Sequence, residues 1–178
     1  MPVTIRTQRR EELPTVREVV TDSFQDPVVG DLVVTLQNTS AGAAELFYVA
    51  DLDGEIVGAT MLTRSWLDAP QRLVEVLVLS PVAVHSAHQR QGVGSALIRH
   101  ALTQAARTVF PLVFLEGNPA FYVRYGFQPA IPLGFTRPSV RIPDPAFQVV
   151  PLDGYEPWMT GAVVYADPFW LHDCVGLR

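Results

Sequence analysis

Three observations predict an α/β (α+β) fold for this chain. Period-two runs of β-branched and aromatic residues are interleaved with segments whose apolar residues recur every three or four positions. An Asp53-Gly54 pair joins two of the β-rich runs as a tight hairpin would. A turn carrying Gly92 and Gly94 stands between a long strand and a helix. The 178 residues suit one domain, 1–178, able to bury a core without disulfides or metals.

In order along the chain, Val3 to Arg6 alternates as a first strand. Glu11 to Phe24 sets Leu13, Val16, Val19, Val20 and Phe24 at helical spacing, with Pro14 suited to a first turn. Asp26-Pro27 opens a second helix with Val29, Leu32, Val33 and Leu36 on one side, and Asn38 to Gly42 reads as a loop. Leu46 to Asp51 and Glu55 to Thr63 are strands made antiparallel by the hairpin. Leu73 to Val84 is a longer strand in which Pro81 cannot donate to a ladder, so a bulge or splay is expected there. Val93, Leu97, Ile98, Ala101, Leu102 and Ala105 mark a helix from Gly92 to Arg107. Leu112 to Leu115 is a strand, and Asn118-Pro119 starts a short helix that ends at Gly126. Beyond Phe127 the chain is Pro-rich, with Phe147 to Val150 and Ala162 to Tyr165 as edge-strand candidates.

Charge excludes several classes of function. A net charge of −5 and a pI near 5.3 leave no basic surplus for a phosphate backbone or an anionic membrane. The one basic stretch, Arg6 to Arg10, runs straight into Glu11 and Glu12 and reads as a solvated helix start. Nucleic acid and membrane partners are not expected. Cys174 is the only cysteine, and the N-terminus lacks a basic-then-apolar leader, so a cytoplasmic protein is expected. His88, His100 and His172 show no metal-ligand spacing with Cys174, and no metal is expected.

The chemistry is concentrated in Val82-Ala83-Val84 followed by Gln89-Arg90-Gln91-Gly92-Val93-Gly94-Ser95. Glycines allow ligand atoms close to the backbone, and the N–H groups and positive pole of a helix N-terminus attract a phosphate or pyrophosphate. A P-loop needs a lysine after its glycines, and the dinucleotide fingerprint needs a third glycine; neither is present. Gly92 and Gly94 can also be read as glycines that merely allow tight strand-to-helix packing.

Gln89-x-x-Gly92-x-Gly94 resembles the Gln/Arg-x-x-Gly-x-Gly/Ala signature by which GNAT N-acetyltransferases hold the coenzyme A pyrophosphate. Asn118-Pro119-Ala120-Phe121-Tyr122-Val123-Arg124-Tyr125-Gly126-Phe127 is similar to that superfamily's Asn…Phe-Tyr-x-x-x-Gly-Phe segment. The resemblance covers roughly Val3 to Phe127, and Gly161 to Tyr165 is similar to the ending of a bacterial subgroup without a defined substrate. It implies a GNAT fold: a mixed, mostly antiparallel sheet of six to seven strands, splayed at the fourth and flanked by helices.

The same resemblance implies an acyltransferase that uses acetyl-CoA as co-substrate. Val82, Ala83 and Val84 would pair with the pantetheine arm. The loop Gln89 to Ser95, including Arg90, Gln91 and Val93, would hold the pyrophosphate, with Asn118, Phe121 and Tyr125 as further cofactor contacts. An amine attacks the thioester directly, a backbone N–H of Val82 or Ala83 stabilises the oxyanion, and Tyr122 protonates the thiolate. Family members often carry a glutamate in the fourth strand as base; here that position is Val78, so Glu116 is ranked first for the role, ahead of Glu75 and His85. The acceptor, a small molecule or a protein amine, is not defined by the sequence. Its pocket would be framed by Phe24 to Gly42 and the Pro-rich segment, where Trp66, Trp158, Phe169 and Trp170 supply aromatic surface. A homodimer is compatible with the exposed C-terminal edges. The alternative from another class is a degenerate domain that binds acyl-CoA as a sensor without turnover.

Overall fold

The structure, a computed structural model, describes residues 3–176. The chain groups into two compact units. One takes in the chain up to Thr63 together with Leu79–Gln104, and the other Arg64–Val78 together with the chain from Ala105 on.

In the first unit Thr4–Thr7 (β1) pairs antiparallel with Phe47–Leu52 (β2), which pairs antiparallel with the first part of Glu55–Asp68 (β3). Asp53 and Gly54 have φ of 52° and 92°, the left-handed pair demanded by a two-residue hairpin whose twist matches its strands. Asp51 Oδ1 accepts from the Gly54 N–H at 2.7 Å and fixes the turn. Leu13–Phe24 (α1) and Pro27–Gln37 (α2) pack on each other, and Asp26 caps α2 by accepting from the Val28 N–H. Val16, Val20, Leu32 and Leu36 are buried, while Phe24, at the helix end, stays 45% exposed. The unit also holds the last residues of Leu73–Val84 (β4), a 3₁₀ turn at Ser86–His88, and Val93–Ala105 (α3).

In the second unit, Leu77 and Val78 of β4 pair in parallel with Val113 and Phe114 of Leu112–Glu116 (β5). These are two of β4's twelve residues, and they precede Pro81, where a disturbed ladder is predicted. Pro119–Tyr122 (α4) and a 3₁₀ turn at Val123–Tyr125 follow β5. Phe147–Pro151 (β8) pairs antiparallel with β5 and with the two-residue Gln128–Pro129 (β6). Gly161–Val164 (β9) pairs antiparallel with the end of β3 and in parallel with the two-residue Phe135–Thr136 (β7). Asp167–Leu171 (α5) closes the described chain. Phe114 stacks on Phe147 at 5.5 Å and meets Phe135 edge-on at 5.0 Å, and each such buried aromatic is worth roughly 1.5–3 kcal/mol.

The sheet is mixed and mostly antiparallel, as expected, with nine strands among the described residues. The two beyond the expected seven are β6 and β7, too short to carry a periodicity. β3 also runs five residues past Thr63, through Asp68. Val57 to Thr63 are buried without a break, whereas Arg64, Trp66 and Asp68 alternate outward, the pattern of a strand covered on one face. Among the described residues no helix is long and apolar enough to cross a membrane.

Candidate functional site

The first unit builds the turn between β4 and α3 around two glycines with different reasons for being glycine. Gly92 has φ of 87°, which other residues adopt only with strain, and a Cβ there would meet nothing within 4 Å. A Cβ at Gly94 would meet Val84 Cγ2 at 3.6 Å, an ordinary contact. Neither position is filled by neighbouring protein atoms, so tight packing does not explain the pair. The packing glycine is Gly58 in β3, where a Cβ would lie 3.0 Å from the Ala83 carbonyl oxygen and 3.1 Å from both Leu97 and Val93 side chains. α3 begins at Val93, with Ala96 N–H donating to Gly92 O at 3.0 Å; N–H groups of a first turn have no carbonyl behind them in the helix. That leaves an open, electropositive cradle on the backbone at Gly92 to Gly94.

Side chains brace this cradle. Gln89 Nε2 donates to Val84 O at 3.0 Å and Gln91 Nε2 to Ala87 O at 3.2 Å, while Arg90 sits at φ of 60°. Ser23 Oγ of α1 accepts the Val84 N–H at 3.1 Å. Asp22 accepts from Ser86 N–H at 2.6 Å and from Ser86 Oγ at 3.2 Å, and the Ser86 backbone bond, foremost, lowers its pKa. His85 Nδ1 accepts from the Ala87 N–H at 3.3 Å and lies 3.7 Å from Asp22 Oδ2. The His85 N–H donates to Val57 O of β3 at 2.9 Å, whereas the Val84 N–H points away from β3 to Ser23. N–H groups of successive strand residues point to opposite sides. The Val82 N–H therefore shares the side of Val84, and the Ala83 N–H shares that of His85.

The second unit carries the remaining candidates on the β5-to-α4 turn. Asn118 Oδ1 accepts from Ala120 N–H at 3.0 Å, so the carboxamide oxygen is the cap of α4. Tyr122 lies against Gly117, where an added Cβ would meet the Tyr122 ring at 2.5 Å. Its ring also meets Phe121 at 5.0 Å, Phe127 at 5.8 Å and Tyr125 at 6.5 Å. Burial pushes the Tyr122 phenol up to about 12, keeping it protonated at neutral pH. Arg124 lies over the Phe121 ring at 5.3 Å.

Glu116 accepts from the Gly176 N–H with both carboxylate oxygens, at 3.3 and 3.1 Å. Burial raises its carboxyl to about 7, against the lowering influence of that bond and of Arg141. Fully buried Tyr165, whose hydroxyl has no hydrogen-bond partner among the described residues, is raised well above 10 by burial and by Glu116. Glu75 is exposed on β4. Of the aromatic residues considered for an acceptor pocket, Phe169 is core, 5.2 Å from Tyr165, while Trp66 and Trp170 are 45% and 41% exposed.

Sequence reasoning missed Ser23, Gly58, Gly117, Gln148 and Tyr165. Gln148, 1% exposed, donates to Gly117 O at 3.1 Å and holds the turn beneath Tyr122. Gly117 alone carried a signal, a glycine between a strand end and an Asn-Pro cap.

Residues 43–129 match the family described as Acetyltransferase (GNAT) domain. Over 114 residues the chain is 31% identical to an uncharacterized N-acetyltransferase, YjhQ, of Escherichia coli strain K12, covering 64% of this chain and 63% of that protein. The chain thus spans less than two thirds of the length of that curated relative. Its fold is similar to that of the GNAT family N-acetyltransferase YhbS of Escherichia coli, solved in complex with CoA, at a TM-score of 0.84 and 24% identity, over 94% of this chain and 91% of that one. A GNAT family acetyltransferase of Brucella melitensis, solved in complex with acetyl-CoA, superposes at a TM-score of 0.75 with 25% identity, over 94% and 98%. The matched stretch contains the strand, glycine turn and helix on which the cradle is built, and the family match, the curated relative and the shared fold together support placing the chain in the GNAT superfamily.

Proposed function

We propose that this protein is an N-acetyltransferase that moves an acetyl group from acetyl-CoA to a primary amine by direct attack of the amine nitrogen, in a reducing cytoplasm. The observation that carries the reading is the cradle at Gly92 and Gly94, open to a ligand anion and unexplained by packing. Solved relatives hold CoA or acetyl-CoA, which supports the same assignment.

The co-substrate supplies an activated thioester; the chain's own groups do the rest. The backbone of Gln89 to Ser95 holds the pyrophosphate, and Val82 to Val84 align the pantetheine arm. The Val82 N–H, on the side of the strand away from β3, is the donor to the oxygen on which charge develops. One such donor is worth about 3 kcal/mol. Tyr122, neutral at working pH, gives its proton to the leaving sulfur. Glu116, raised to about 7, takes a proton from the ammonium form of the acceptor, since a base poised near the working pH transfers protons best. Asn118 has its Nδ2 left for the cofactor, with Phe121 and Tyr125 beside it.

Calorimetric titration with acetyl-CoA, CoA, ATP and NAD tests the assignment. Acetyl-CoA and CoA should bind selectively, and Gly92→Glu should abolish that binding. Acetyl-CoA binding no tighter than ATP or NAD would overturn it. Among amine acceptors screened by thiol release, Tyr122→Phe should lower kcat about a hundredfold or more with acetyl-CoA affinity unchanged. Selective binding with no thiol release from any acceptor would leave a sensor domain instead.

A further inference from the structure

The basic stretch before α1 is not used by the chemistry proposed above, and its arginines have separate fates. The Arg6 guanidinium is committed to structure, donating to Glu12 at 2.7 and 3.0 Å and to Asp51 at 2.8 and 3.0 Å. Arg17 is likewise held by Asp31 at 2.7 Å. Arg9 and Arg10 have no ion-pair partner among the described residues. Glu12 and Asp51 attract Arg9 only at longer range.

Both free arginines line a cleft of about 450 Å³ in the first unit, together with Gln8, Leu13, Gln37 and Phe47. No aspartate or glutamate lines it, which is unusual on a chain of net charge −5. A second cleft in the same unit, of about 720 Å³, has the opposite character, with Glu12, Glu18, Asp22 and Glu55 on its walls. The arginine cleft has a defined floor. The Gln8 and Gln37 amides exchange two hydrogen bonds of 2.9 Å, and the same pair lines a narrow hollow with Val20, Thr60, Met61 and Pro81. Pro81, the residue before Val82, lines this hollow, whose volume is only about 10 Å³.

We propose that this cleft receives an oxyanion, a carboxylate or phosphate, carried by the acceptor, so that the acceptor is an amine with an anionic group at its far end. Two guanidiniums without a carboxylate partner, both exposed, offer the planar forks that recognise such groups. Leu13 and Phe47 line the cleft with apolar surface for the body of the ligand, and the Gln8–Gln37 amide pair lines both the cleft and the hollow. The amine assignment rests on the acetyltransferase reading; the preference for an anion does not.

The test is calorimetry on the full chain without acetyl-CoA, using benzylamine, 4-(aminomethyl)benzoate and the corresponding phosphonate. The proteins are wild type, the double variant Arg9→Gln/Arg10→Gln, and Glu18→Gln from the acidic cleft as control. At least one anionic probe should bind wild type and the control about tenfold or more tighter than benzylamine, as a charge-assisted bond requires. That preference should vanish in the double variant with Tm and acetyl-CoA affinity unchanged. The carboxylate and phosphonate arms assign the oxyanion. Equal binding of benzylamine and both anions, or a preference that survives the double variant, overturns the proposal. Failure of acetyl-CoA to bind overturns the acetyltransferase reading and leaves the anion preference to be judged by these titrations alone.

Discussion

Alanine at Gly94 and at Gly92 should move stability in opposite directions while weakening the same ligand. Within a helix alanine is favoured over glycine by up to about 1 kcal/mol. The methyl added at Gly94, in the first turn of α3, meets only Val84 Cγ2 at 3.6 Å. Gly94→Ala should therefore stabilise the ligand-free protein by about 0.5–1 kcal/mol, or roughly 1–4 °C in Tm for a chain of this size. Gly92→Ala has equally open space, but φ of 87° places it where an L-residue loses about 1–2 kcal/mol, and its Tm should fall. Either methyl occupies ground that the anion needs in order to reach the backbone N–H groups. Losing one charge-assisted hydrogen bond costs about 1.5–3 kcal/mol, or roughly ten- to hundredfold in Kd for acetyl-CoA. Scanning calorimetry and isothermal titration on both variants give the four numbers. A Gly94→Ala protein of lowered Tm would refute the packing argument, and one that binds acetyl-CoA as wild type does would refute the argument from ligand approach.

Gly117→Ala should act on Tyr122 from beneath, since the new methyl meets its ring at 2.5 Å and the ring must move. A stability loss of about 1–3 kcal/mol is expected in denaturant titration, with kcat falling more than acetyl-CoA affinity. Glu116, whose carboxyl is raised from 4.5 to about 7, holds its proton more tightly folded than unfolded. Its burial therefore costs nothing below pH about 4.5, becomes destabilising as pH rises to about 7, and reaches a full cost of about 3 kcal/mol above that. Glu116→Gln should accordingly raise Tm at pH 8 and show little gain at pH 4. The same substitution should remove the limb near pH 7 over which kcat/KM rises with pH.

Much of the fold is written in short-range pattern. The Asp53-Gly54 hairpin, the Asp26 and Asn118 caps and the period of α3 are each satisfied within a few residues, so the sequence reveals them. β3 resisted because its last residues are half polar and are held as a strand by β9, a partner distant in sequence. β6 and β7 are strands only because β8 and β9 lie beside them. Of the candidate site, the order of strand, glycine turn and helix was legible, and so was the reach of Tyr122 from an Asn-Pro cap. The identity of the glycine that packs was not. Gly58 reads as an ordinary strand glycine, and only the approach of Ala83, Val93 and Leu97 shows that it, rather than Gly92 or Gly94, is the glycine held close by β4 and α3.

By itself, then, the sequence determined where most of the elements run, offered one glycine turn as a candidate anion cradle, and showed which chemistry the Gln89 to Ser95 and Asn118 to Phe127 segments resemble. These depend on backbone propensities and on neighbours a few residues away. Tertiary structure decided the electrostatics and the choice among equivalent residues. Burial raises Glu116 to about 7 against the lowering bond from the Gly176 N–H, sixty positions later in the chain. Val82 rather than Ala83 faces away from β3 because the ladder fixes which N–H groups are used. Arg6 is spent on Glu12 and Asp51, while Arg9 and Arg10 are left to line a cleft. Each outcome turns on solvent exclusion or on a partner brought from far along the chain, and neither is encoded in local pattern.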